Sequence, residues 1–87
     1  MEDEKFLEQI NIKITRLTGR QVSLKLDSED PWCMAVGFNE GESTVTIGNG
    51  ALKYSGFARM CIDYAVACIR AGKEITTLEF HVLLQRN

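Results

Sequence analysis

An α+β domain, with a three-stranded antiparallel sheet and helices packed over one face, is the fold that three features of the chain predict. Residues 57–71, FARMCIDYAVACIRA, are apolar in nearly every direction at helical periodicity, so this helix must be covered on more than one side. Residues 3–18 place Phe6, Leu7, Ile10, Ile14 and Leu17 on one helical face. Between these helices lie three short strand-like segments separated by turn residues, too close together for helical crossovers.

The first helix carries Lys5, Gln9, Lys13, Arg16 and Arg20 along one edge of its apolar face, and Glu4, Glu8, Asn11 and Thr15 along the other. Acids in its first turn and bases in its last suit the helix dipole, and Gly19 supplies a C-terminal stop. Ile12 points away from the apolar face. Val22–Leu26 alternates as a half-buried strand, and Asp27–Pro31 is a turn. Trp32–Phe38 is a second strand, with Trp32, Met34, Val36 and Phe38 on one face and Cys33, Ala35 and Gly37 on the other; the pattern does not choose between the faces. A short hairpin at 39–42 leads to a third strand, Ser43–Ile47.

The loop GNGALKYSG, residues 48–56, joins this strand to the apolar helix, with Ser55 as its expected N-cap and Gly72 as its stop. On that helix Arg59, Asp63, Val66 and Arg70 share one narrow sector, spaced for a surface line of ion pairs. The last segment has two readings. Thr76-Thr77-Leu78-Glu79 has capping-box spacing and starts a helix, whereas Leu78, Phe80, Val82 and Leu84 alternate as a fourth strand would. The specific start signal favours the helix, giving the order α-β-β-β-α-α.

The 87 residues, 45% apolar and 25% charged, are those of a single ordinary globular domain spanning 1–87. A net charge of −2 argues against a dominant nucleic-acid or anionic-membrane surface. The acidic opening MEDEK suits neither a signal nor a transit peptide, and no run is long and apolar enough to span a bilayer. Three cysteines, an odd number, with Cys61 and Cys68 separated by about 10 Å of helix, point to a reducing, cytoplasmic setting.

Chemistry is sparse. In the 48–56 loop Gly48, Gly50, Lys53, Ser55, Gly56 and Arg59 form a candidate anion site, because a strand, a glycine-rich loop and a helix start present backbone amides. The order lacks the Lys-Ser/Thr of a phosphate loop, and the competing reading is a plain connection in which Gly48 and Gly50 supply positive φ. Cys33, Cys61, Cys68 and His81 include zinc-ligand types, but no local pair brings them together, so no metal or cofactor is expected. The carboxylates sit in turns or, at Asp63, on the polar sector, and no catalytic residue is assigned.

Lys5, Lys13, Arg16 and Arg20 form a candidate nucleic-acid edge. With them, the α-β-β-β-α order resembles that of the double-stranded-RNA-binding domain, which implies RNA binding through helix and loop bases. The stretch matching that family's lysine-rich helix start, Tyr54–Arg59, has one base, and the turn that should meet the minor groove carries Asp27, Glu29 and Asp30. The expectation drawn from the chain is therefore a non-enzymatic protein acting through protein–protein contact, either self-association or adaptor, regulatory or inhibitory binding. Its candidate interface residues are Ile12, Trp32, Leu83 and Leu84.

Overall fold

The computed structural model describes residues 2–86. Its elements are α1 (Glu2–Thr18), β1 (Val22–Asp27), β2 (Met34–Asn39), β3 (Glu42–Gly48), a 3-10 turn at Asn49–Leu52, α2 (Ser55–Ala71) and α3 (Thr77–Arg86). The α+β class and the element order agree with the hydrophobic pattern.

The sheet is mixed, not antiparallel throughout, and its order is β1-β3-β2. β2 and β3 pair antiparallel through the hairpin, whose Glu40 and Gly41 both have positive φ, 51° and 84°. That is the backbone of a two-residue type I′ turn. β1 instead lies parallel to β3, Val22 opposite Ser43 and Asp27 opposite Gly48. Parallel neighbours need a dozen or more intervening residues, and residues 28–41, which include β2, supply them.

The chain reaches this order by crossing the C-terminal end of β3 on its way from β1 to β2. The Asp27 carboxylate starts the crossing by accepting the amides of Glu29 and Asp30, at 2.8 and 3.2 Å. Gly48 and Gly50 let it pass: their amides donate to the Cys33 and Pro31 carbonyls, at 2.8 and 2.9 Å. A β-carbon on Gly48 would stand 2.2 Å from the Pro31 oxygen, and one on Gly50 2.6 Å from it. These glycines serve close backbone approach, not positive φ; Gly48 has φ −77°, and the positive-φ glycines are Gly19, Gly41 and Gly72.

The large face of β2 is the buried one: Met34 and Val36 join Val45, Ile47 and Val22 beneath the helices. Trp32 and Cys33 lie before the strand, in the crossing segment. The opposite face carries Ser23, Ala35, Gly37, Thr44 and Thr46, all half-buried. The outer side of β2 is closed at Val36, whose amide and carbonyl pair with those of Ile75 at 2.9 and 3.0 Å.

α2 is covered on several sides, as its apolar circumference demands. Phe57, Ala58, Cys61, Ile62, Ala65, Val66 and Ile69 are buried. Ala58 and Ile62 lie beside Phe6 and Ile10 of α1, and Tyr64 meets Phe80 of α3 edge-on at 5.8 Å. Val66 is therefore core, while the other members of its sector, Arg59, Asp63 and Arg70, are exposed. Among the described residues these form no ion pair with one another; the Arg70 guanidinium donates instead to the Leu17 carbonyl at the end of α1, at 2.7 and 3.2 Å. Ser55 is the first residue of α2, not its cap: Tyr54 holds the cap position without a side-chain bond. Gly72, φ 64°, closes the helix, its amide on Ile69 and that of Lys73 on Cys68.

α3 starts with the reciprocal bonds of a capping box. Glu79 accepts the Thr76 amide, and Thr76 Oγ1 accepts the Glu79 amide, both at 3.1 Å. The strand-like alternation in this segment is a coincidence of spacing: Phe80 is fully buried, whereas Leu78 is 74% exposed.

Candidate interaction surface

The crossing segment and the start of α2 together build an aromatic ledge. Trp32 leans on Tyr54 with ring centroids 5.4 Å apart and meets Phe57 edge-on at 5.1 Å. Phe57 continues to Phe80 at 6.1 Å, so the ledge is the outer end of an aromatic chain rooted in the core. Trp32 remains 44% exposed and Tyr54 55%. Amide bonds fix the main chain at both rings: the Trp32 amide donates to Asp30 Oδ1 at 3.1 Å and the Tyr54 amide to the Gly50 carbonyl at 3.0 Å. Gly50 has no β-carbon where the Trp32 ring lies; one would come within 2.8 Å of it. Ser28, Glu29, Asn49 and Lys53 ring a shallow depression beside the two aromatics.

α3 is tied to the same corner by His81 Nε2, which meets Asp30 Oδ2 at 3.0 Å. Leu83 and Leu84 are half-buried against the core, and the apolar side chains this helix exposes are Leu78 and Val82. Ile12 stands off α1, 48% exposed.

Four amides of the 48–56 loop are bonded within the fold. Those of Gly48 and Gly50 serve the crossing, and those of Lys53 and Tyr54 both reach the Gly50 carbonyl, at 3.2 and 3.0 Å. Ser55 and Arg59 face α1, where they line a furrow together with Lys13. Lys5, Lys13, Arg16 and Arg20 are all exposed; Lys13 and Arg16 share a surface hollow with Gln9, Ile12 and Leu17.

Cys33 and Cys61 are buried and Cys68 is partly buried. Burial, then the charge of nearby Asp27 and Asp30, pushes Cys33 up to about 11, and burial pushes Cys61 up to about 12. Burial also raises Cys68, with Lys73 opposing and Glu79 adding to it. Thiolates are the reactive form, so all three are poor nucleophiles near neutrality. Among the described residues no group of three or more His, Cys, Asp or Glu side chains is placed to hold a metal ion. No helix among them is long and apolar enough to cross a membrane.

Of the residues picked out in the sequence for an interface, Ile12 and Trp32 are exposed and Leu83 and Leu84 are half-buried, while the exposed Tyr54, Leu78 and Val82 were not picked out. Helical phase from Phe80 carries the signal for the last two: positions 83 and 84 follow it inward, and 78 and 82 turn outward. Comparison of the chain with protein-family models, with curated proteins and with solved structures finds no match.

Proposed function

We propose that this protein works without catalysis, by binding another protein or a second copy of itself, and that the Trp32–Tyr54 ledge is the contact. One observation carries the reading: two large aromatic rings stack half-exposed on each other, their amides bonded to Asp30 and Gly50 and the Trp32 ring lying where Gly50 has no β-carbon. Exposed tryptophan and tyrosine supply large contact area at low conformational-entropy cost and dominate interface hot spots. Leu78 and Val82 add exposed apolar area on α3, the helix that His81 ties to Asp30. The raised thiols are in keeping with a non-catalytic role.

The test has two arms, both comparing the wild type with a Trp32→Ala, Tyr54→Ala variant. Sedimentation velocity over a dilution series reads self-association, and quantitative affinity capture from the source cells reads other partners. The expected result is an oligomer or a captured protein that the double variant loses. Identical behaviour of wild type and variant in both arms overturns the proposal.

A further inference from the structure

Trp32 reaches its place through two carboxylates in series. Asp27, the last residue of β1, accepts the Asp30 amide at 3.2 Å, and Asp30 Oδ1 accepts the Trp32 amide at 3.1 Å. Each bond closes a short turn in which a side-chain oxygen stands in for a backbone carbonyl. The path of the main chain is thus handed on from the end of a strand, through Asp30, to the ledge. The second oxygen of Asp30 is taken as well, for His81 Nε2 lies 3.0 Å from Oδ2. A carboxylate only accepts, so Nε2 is the donor, and a neutral or a charged imidazole serves alike. Turning Oδ1 off the Trp32 amide would therefore also break the bond to α3. His81 in turn is seated by its neighbour Phe80, which is fully buried.

These bonds are not what holds the fold. The crossing is fastened separately by the Gly48 and Gly50 amides on the Cys33 and Pro31 carbonyls, and α3 by Phe80 and the Val36–Ile75 backbone pair. Asp30 and His81 are both partly exposed, where such a pair adds little to stability. We propose that Asp30 is the positioning residue of the aromatic ledge, with His81 as its buttress. The inference rests on the reading of the ledge as the contact surface. Asp30 itself need not touch the partner. It fixes the main chain from which the Trp32 ring projects, so that the ring stays against Tyr54 in one orientation, and a ring set in advance has less freedom to lose on binding. The benefit then appears in affinity more than in stability.

The test compares wild type, Asp30→Ala, Asp30→Asn and His81→Ala, each carrying fluorotryptophan at its single tryptophan, with denaturant unfolding to check that every variant is folded. The first readout is the fluorine line of the free protein, and the second is the affinity of the assembly, by sedimentation over a dilution series or by titration of the captured partner. Asp30→Ala is expected to shift or split the line and to weaken the assembly roughly tenfold. Asp30→Asn keeps an oxygen to accept the Trp32 amide and is expected to stay near wild type in both. His81→Ala should move both readouts part of the way towards Asp30→Ala. An unchanged line in Asp30→Ala, an unchanged affinity in that variant, or an Asp30→Asn as impaired as Asp30→Ala would each overturn the inference. Failure of the ledge reading looks different: the Trp32→Ala, Tyr54→Ala variant then assembles like wild type. With no assembly to weaken, the fluorine line alone decides the role of Asp30.

Discussion

A methyl group added at Gly48 would meet the Pro31 carbonyl oxygen at 2.2 Å and the Asp30 oxygen at 2.4 Å, both of them backbone atoms that no rotamer change can move. Gly56 offers the contrast: a β-carbon added there, in the first turn of a helix, would find nothing within 4 Å. Gly48→Ala is therefore expected to lose about 3 kcal/mol or more of stability, and Gly56→Ala to gain about 0.5 kcal/mol, as read by denaturant unfolding. Asp27 makes a second residue-scale prediction. The Glu29 and Asp30 amides hold its carboxyl below the ordinary 3.8. A lowered folded-state value stabilises above the ordinary one, and that stabilisation is lost as pH falls through the folded value. Asp27→Asn is accordingly expected to flatten the acid limb of the stability curve below about pH 4. An unchanged acid limb would show that the carboxylate does not anchor the crossing. For the thiols, alkylation at neutral pH should leave Cys33 and Cys61 unmodified until the protein unfolds, because both are buried and neutral.

The helices show how far local signals reach. α1 and α2 end at Gly19 and Gly72, at φ 67° and 64°, and α3 starts at the Thr76–Glu79 box; each boundary was legible because its cause lies within a few residues. Thr76→Ala is expected to cost about 1 kcal/mol and to speed amide exchange at Glu79 and Phe80, which hydrogen exchange by NMR reads directly. The sheet order was not legible. Its strands have the same lengths and alternation whether β1 lies beside β2 or beside β3. The choice depends on a backbone-to-backbone approach between residues 31–33 and 48–50, distant in sequence and marked only by glycines that a turn would also explain. Tyr54 was hidden for the same reason, since its partner Trp32 arrives through that crossing.

At the scale of the whole molecule, the apolar excess of α2 is settled within the chain. The sheet, α1 and α3 share its circumference; of its cysteines, Cys61 belongs to the core and Cys68 packs against it. What stays outside is specific: the Trp32–Tyr54 ledge and the outer face of α3. The central claim is that the ledge is the contact surface, and Trp32 is the only tryptophan in the chain. Fluorine NMR of protein carrying fluorotryptophan reports that ring alone, whatever tryptophans a partner brings. The account predicts that its resonance shifts and broadens as the oligomer forms or the captured partner is added. A resonance unchanged in an assembled complex would contradict it.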